Sequence, residues 1–329
     1  MWQTIGHAWA VEQLSADIAS GNLARASLFT GPEHIGKLHL AVEFAAALNC
    51  SGAEPPCQTC EHCRRTLTRS HPDLVVIEPD GGHVRIGQIR EMQHELALRP
   101  YEGRWRIAIV TDMHTATEEA ENALLKTLEE PPAHAVIILT AIDAGLLQPT
   151  VVSRCRVMAL QPVQRQAIAA ALTDRGLVEP VQAEEIARLS AGRVGWALEA
   201  AAHATVLQKH EQGVERLLEL LRHGHAARVS AAAALTKEDV PAQVLAEWQS
   251  VWRDVMLISA GCPELVTNRQ QREALARLAD MVSLEGAWRA TTETLQAIDQ
   301  LEQNVNPRLV LEATLLGWRQ LGWGEPEDL

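Results

Sequence analysis

Residues Gly31-Pro32-Glu33-His34-Ile35-Gly36-Lys37-Leu38 decide how the chain is read. They follow a short apolar run, Ala26-Ser27-Leu28-Phe29, and open an alanine-rich helical pattern. This is the strand–loop–helix setting of a phosphate-cradling P-loop, whose glycines let backbone N–H groups face phosphate oxygens at a helix N-terminus. Gly31, Gly36 and Lys37 are therefore candidate nucleotide-binding residues, with Lys37 the point charge that reaches the outer phosphates. The motif normally ends in Ser or Thr, whose hydroxyl ligates Mg²⁺. Here that position is Leu38, which cannot hold a metal. The octad reads as a phosphate site with one working part removed.

Working outward, the first half alternates strand-like and helix-like segments. His7–Ser20 and Lys37–Leu48 carry apolar groups at helical spacing, and Leu74–Ile77 is a compact buried-strand pattern. Ile86–Leu98 reads as an amphipathic helix ending before Pro100. Arg106–Asp112 reads as a hydrophobic strand ending in an acid, the arrangement that presents a carboxylate to Mg²⁺; a turn or helix cap is the equal alternative for Asp112. Thr115–Glu129 is expected to be an acidic, leucine-bearing helix and Val136–Thr140 a further buried strand. Such alternation predicts a parallel sheet covered on both faces. After Gln161-Pro162 the strand signals cease. A small helical group over 162–205 precedes longer helices over 206–329, with an acidic tail at Gly324–Leu329. Three parts are expected: 1–161, 162–205 and 206–329.

Cys50, Cys57, Cys60 and Cys63 form a C-x6-C-x2-C-x2-C cluster. Two overlapping C-x2-C steps and a fourth thiolate suit a tetrahedral Zn²⁺ site at 50–63. Four protein ligands leave no open position, so the ion is expected to be structural. Cys155 and Cys262 stand alone and read as buried thiols.

The formal charge of −13 excludes a broad nucleic-acid-binding face, and neither part is basic: residues 1–165 carry net −5 and the remainder net −8. With 25 Arg and only 4 Lys, the chain still keeps a lysine at position 37, inside the P-loop. No apolar run approaches a membrane span and the first residues lack a signal-peptide layout, so a cytoplasmic chain with no membrane partner is expected.

Asn122-Ala123-Leu124-Leu125-Lys126-Thr127-Leu128-Glu129-Glu130-Pro131-Pro132, followed by Ser153-Arg154-Cys155 and combined with a four-Cys insertion after the P-loop helix, resembles the bacterial clamp-loader subunits of DNA polymerase III. The resemblance covers the whole chain. It implies an α/β P-loop (AAA+-like) parallel-sheet core with an inserted zinc module, a small helical lid and an all-α C-terminal collar domain. It also implies membership of a hetero-pentameric ring with tau/gamma and delta subunits that loads a sliding clamp on primer-template DNA.

Two kinds of subunit share these motifs, the ATP-hydrolysing tau/gamma kind and the delta-prime kind. Leu38 replaces the Mg²⁺-ligating hydroxyl, Met113 follows Asp112 where a water-polarising residue is expected, and Thr140 is followed by Ala141 and Ile142 where a polar sensor is expected. In Gly192-Arg193-Val194-Gly195-Trp196-Ala197-Leu198, Trp196 takes the place of a phosphate-sensing arginine, with Arg193 three residues away. These losses favour the delta-prime kind, with ATP or ADP binding left open and the Mg²⁺ site lost. The resemblance then assigns Arg154 as an arginine finger acting in trans on a neighbour's ATP; a structural arginine paired with carboxylates is the plainer alternative. The competing readings are an active tau/gamma-type ATPase and a zinc-dependent DNA-binding regulator using Arg64, Arg65 and Arg69.

Overall fold

The aliphatic runs of the first half become strands of one sheet because they are apolar on both faces, and both faces are covered. In the computed structural model, which describes residues 1–238, 241–303 and 305–318, these are β1 (Ala26–Thr30), β2 (Leu74–Ile77), β3 (Arg106–Val110) and β4 (Ala135–Ala141), and a less apolar edge strand, β5 (Arg156–Ala159), joins them. They pair in parallel in the order β2-β3-β4-β1-β5. Helices α1 (Ala8–Ser20), α2 (Lys37–Leu48), α3 (Glu61–Leu67), α4 (Ile86–Ala97), α5 (Glu118–Glu129) and α6 (Pro149–Val152) connect them. Ile137 and Leu139 of β4 pack with α4 and α5 residues such as Ile89 and Leu124, while Val136 and Ile138 pack with Leu14, Leu40 and Phe44 of α1 and α2. Alternate side chains thus feed two separate cores, as a doubly covered parallel sheet requires. α2 is buried from Leu40 to Leu48, and its small residues Ala41, Ala45, Ala46 and Ala47 make that close approach possible.

β1 lies between β4 and β5, so the Gly31–Leu38 loop leaves the sheet at the carboxyl ends of its central strands. This is where open α/β sheets present ligand sites. Three further helices, α7 (Arg165–Asp174), α8 (Pro180–Leu189) and α9 (Val194–Ala202), complete the first of two compact units, Met1–Ala201.

The second unit, Ala202–Leu329, is helical throughout its described residues: α10 (Ala204–Arg222), α11 (His225–Glu238), α12 (Pro241–Ser259), α13 (Arg272–Met281), α14 (Leu284–Glu302) and α15 (Pro307–Gly317). Its core holds Trp248, Trp252 and Trp318, with the Trp318 ring edge-on to the other two at 5.5 and 5.3 Å between centroids. Buried Arg228 donates to the carbonyls of Leu220, Leu221 and His223 at the end of α10 and to Leu315 of α15, satisfying acceptors a helix terminus leaves open. Buried Asp254 accepts from the Thr267 and Asn268 backbone and from the Asn268 amide, which fixes the segment before α13. No described helix is long and apolar enough to cross a membrane.

The expected parallel α/β core and helical C-terminal part are both present, with local differences. The helix expected over Thr115–Glu129 is a 3₁₀ turn at Met113–Thr115 followed by α5, because the Thr117 hydroxyl accepts the Ala120 N–H at 3.3 Å and starts the helix anew. Strand β5 was not anticipated: it has four residues, and Arg156, Val157 and Ala159 are not buried, so it lacks the continuous apolar run of the other strands. Helix α13 begins only at Arg272, after Thr267 and Asn268, which are committed to Asp254. The acidic tail at Gly324–Leu329 lies outside the described residues.

Candidate functional site

Gly31, Gly36 and Lys37 lie in one turn between β1 and α2. Gly31 has φ +143° and passes so close to Leu160 that a Cβ would sit 2.5 Å from its carbonyl oxygen, so no larger residue fits. Gly36, at φ +103°, is the N-cap of α2. Lys37 does not reach outward: its buried Nζ donates to the loop's own carbonyls, Gly31 at 2.6 Å and Pro32 at 2.9 Å. Burial pushes its ammonium below the ordinary lysine range, and the Asp112 and Glu33 carboxylates oppose that shift. Leu38 packs against the α1–α2 core cluster and lines a cavity of about 400 Å³ with Val42 and Leu67. Gln3, His39, Glu43, Gln58 and Arg69 line the same cavity, so Leu38 sits where the apolar core meets a polar mouth, and it offers no ligand to a metal.

Asp112 lies just past β3 with φ +48°, and its backbone N–H donates to the Thr140 hydroxyl at 3.1 Å. The acid and the sensor-position threonine therefore meet at adjacent strand ends. His114, also facing Lys37, Asp112 and Glu33, has a buried Nδ1 with no hydrogen-bond partner among the described residues, and burial lowers its pKa. From the other side α9 closes on the loop: the Gly195 N–H donates to the His34 carbonyl at 2.6 Å, and a Cβ on Gly195 would lie 2.9 Å from that oxygen. Arg193 turns to the Ser190 carbonyl at 3.0 Å and stacks on the Trp196 ring at 5.8 Å.

Arg154 sits in the short turn between α6 and β5. Its guanidinium pairs twice with the Glu129 carboxylate and donates to the Thr150 carbonyl at 2.8 Å. The pair is open to water, with side chains 32% and 50% exposed. Surface pairs of this kind contribute about 0–1 kcal/mol, so the arginine is held in place without being locked there.

The four cysteine Sγ atoms lie within 4.8 Å of one another, a set that could hold a metal ion. Their surroundings fit thiolate ligands. Gly52 N and Cys57 N point at Cys50 Sγ (3.3 and 3.4 Å), Cys60 N at Cys57 Sγ (3.3 Å) and Cys63 N at Cys60 Sγ (3.4 Å). The Thr59 hydroxyl and neighbouring N–H groups hold the Cys57 thiol down at about 5. Burial instead pushes the Cys63 thiol up, so it needs a cation to ionise. Gly52 is obligatory, as a Cβ would stand 2.7 Å from that of Cys57.

A second close set, His62, His71 and Glu102, escaped the sequence reading because the two histidines have no recognisable metal-ligand spacing and Glu102 is distant in the chain. His71 Nδ1 accepts the Asp73 N–H at 3.1 Å, which leaves the proton on Nε2, 2.9 Å from His62 Nδ1. A ring protonated there donates a hydrogen bond and offers no lone pair to a metal. Glu129, Asp73 and Asn49 were also missed. Their roles depend on partners 24 or more residues away, for which local periodicity carries no signal.

Residues 6–164 match the family model described as DNA polymerase III, delta subunit, and residues 204–320 that of its C-terminal part. The delta′ subunit of DNA polymerase III from Pseudomonas aeruginosa is 30% identical over 321 residues, covering 91% of this chain and 92% of that one. The Bacillus subtilis delta′ subunit is 28% identical over 314 residues, with the same coverage. The B. subtilis tau subunit is 30% identical over 183 residues, but these are 55% of this chain and 32% of tau. Likeness to delta′ spans both compact units, whereas likeness to this tau stops partway, and the chain belongs to the family of DNA polymerase III delta′ clamp-loader subunits.

Proposed function

We propose that this clamp-loader subunit works in a ring with tau/gamma and delta subunits to load the sliding clamp on primer-template DNA, presenting Arg154 to a neighbouring ATP while hydrolysing none itself. The observation that carries the reading is the state of the phosphate loop. Its lysine is spent on the loop's own carbonyls, and its Mg²⁺ position is an apolar leucine. Phosphoryl transfer depends on metal and on positioned charge; the loop lacks the hydroxyl that would ligate the metal, and its lysine is engaged by the Gly31 and Pro32 carbonyls. The three-part division, with α7–α9 as lid and the second unit as collar, belongs to the same proposal.

Arg154 supports the trans role through its position. It is partly exposed and lies beside a strand end of the same sheet, and it is restrained by a solvent-screened pair with Glu129 and a bond to the Thr150 carbonyl, contacts that a γ-phosphate could outcompete. Cys50, Cys57, Cys60 and Cys63 would hold Zn²⁺, which supplies a crosslink between the end of α2 and α3 and no reactive position. The test is reconstitution with purified tau/gamma, delta, clamp and primer-template DNA. Complexes carrying Arg154→Ala should assemble yet lose most DNA-stimulated ATP hydrolysis, and the isolated chain should show no turnover with Mg²⁺. Unchanged hydrolysis in the assembled variant would remove the finger, and turnover by the chain alone would remove the inert-site reading.

A further inference from the structure

The P-loop helix buries a carboxylate that the phosphate site does not use. Glu43, in the middle of α2, is fully shielded from solvent, so its charge is tolerable only beside donors. Beyond His39 on its own helix, those donors come from two places. The first is the segment before α1: the Gln3 and Thr4 N–H groups donate to it at 2.6 and 2.9 Å, and the Thr4 hydroxyl at 2.6 Å. The second is the cysteine loop, whose Gln58 amide donates to Glu43 at 3.3 Å and to the Met1 carbonyl at 2.5 Å. Gln58 holds a left-handed backbone, φ +62°, directly after Cys57. Ligation at Cys57 and Cys60 would fix the residues between them in that conformation.

The same segment runs on to α7–α9 and the phosphate loop. The Arg175 guanidinium, at the end of α7, donates to the Gln3 carbonyl at 2.6 Å. Gly6, at φ +72°, passes so close to Val163 that a Cβ would lie 2.6 Å from its Cγ2. The Val163 N–H donates in turn to the Gly192 carbonyl at 3.0 Å, shortly before α9. His7 Nε2 then meets the Ile35 carbonyl of the phosphate loop at 3.1 Å. Trp2 packs on the α1–α2 core cluster, so apolar contact anchors the segment and its polar contacts set its register. Residues 1–7 are thus one strap that touches the cysteine loop, α2, the end of α7 and the phosphate loop.

We propose that this strap carries the metal content of the cysteine cluster to the seat of α7–α9, with Gln58 the contact on the metal side, Glu43 the hub and Arg175 the contact at the far end. With the cluster loaded, Gln58 closes over Glu43 and the Met1 carbonyl, and Gln3 and Thr4 are held in register for Arg175. With the cluster stripped, nothing holds Gln58 in a left-handed backbone, which is costly for a residue with a side chain. The loop relaxes and water reaches Glu43. The strap amides then lose the dry surroundings that strengthen a hydrogen bond to a carboxylate. A crosslink acting on α2 and α3 alone would leave residues 1–7 and the end of α7 indifferent to metal.

This inference rests on the proposed metal centre, and the experiment separates the two. The full chain is compared Zn²⁺-loaded and chelator-stripped under reducing conditions, by metal analysis and by amide hydrogen exchange at short times, where local opening dominates. Stripping should speed exchange at Thr4 about tenfold or more. At Arg175 and Gly176, which close α7, it should speed exchange about threefold, because an exposed hydrogen bond contributes less than one to a buried carboxylate. Ala120 and Glu121, bonded to the Thr117 carbonyl at the start of α5, should be unchanged. Gln58→Gly keeps the left-handed backbone open, and Glu43→Ala lies outside the cysteine loop. Each should retain Zn²⁺ and reproduce both changes in the loaded protein, whereas Arg175→Ala should alter the α7 end alone. A chain that binds no Zn²⁺ removes the metal centre and this inference with it. Zn²⁺ binding with Thr4 indifferent to stripping, or an equal acceleration at Ala120, overturns the inference alone, as does a Glu43→Ala variant in which Thr4 stays protected.

Discussion

Asp73→Ala tests the physical reasoning most directly. The carboxylate is fully buried and accepts the backbone N–H groups of Tyr101, Glu102 and Gly103 as well as Arg106 Nη1 at 2.9 Å. Alanine leaves all three N–H groups without an acceptor. Arg106 keeps its ion pair with Glu95 and a bond to the Glu95 carbonyl, which limits the charge left unpaired. Breaking a buried pair costs about 3–5 kcal/mol, and the retained Glu95 contact places this case near the lower end, about 3–4 kcal/mol. For a unit of this size that corresponds to a fall of about 10 °C in thermal midpoint.

Burial alone would raise the Asp73 pKa, but the backbone N–H groups and Arg106 outweigh it and the carboxyl titrates below its ordinary range. Because the folded pKa lies below the unfolded one, the stabilisation is fully present above the unfolded value of about 4 and is lost as pH falls toward the folded value. The difference between wild type and variant should therefore shrink on acidification. The assay is chemical denaturation across pH, combined with amide hydrogen exchange. The amides of residues 101–103 should lose protection in the variant while those of 104 and 105, held by Asn49, keep it. A loss under about 1 kcal/mol with unchanged exchange at 101–103 would refute the account, since a buried acceptor of that kind cannot be removed without cost.

Other outcomes follow from the same structure. In the reconstituted loader, Arg154→Ala should lower partner ATP turnover by about 10³-fold or more, by analogy with arginine fingers supplied in trans, whereas Glu129→Gln should change it less than about fivefold because only a surface pair is lost. Leu38→Thr should not restore turnover to the isolated chain, since Lys37 remains tied to the Gly31 and Pro32 carbonyls; steady-state ATPase measurement with Mg²⁺ checks this. Metal analysis of the purified chain should find about one Zn²⁺, and stripping it with a chelator should lower the melting temperature of the first unit, with Cys63→Ser reproducing the loss. In the second unit, Asp254→Ala should cost about 3 kcal/mol by urea denaturation, because two buried backbone N–H groups and the Asn268 amide lose their acceptor.

The features legible in the sequence were those whose physics is local. Glycine spacing around Lys37, the cysteine intervals and the aliphatic runs 74–77, 106–110 and 136–140 each follow from nearest-neighbour geometry, and together they specified a covered parallel sheet, a phosphate-type loop and a metal-type cluster. The cap at Thr117 with Glu118, Glu119 and Glu121 behind it was equally local and could have divided the helix expected over 115–129. Tertiary structure alone decided which groups answer one another: Lys37 turned onto its own loop, Arg154 resting on Glu129, His71 protonated toward His62, and Asp73 and Asn49 gathering five amides of a distant turn. Burying a charge or an amide is tolerable only beside a partner, and that partner is chosen by the folded path of the chain rather than by the residues next to it.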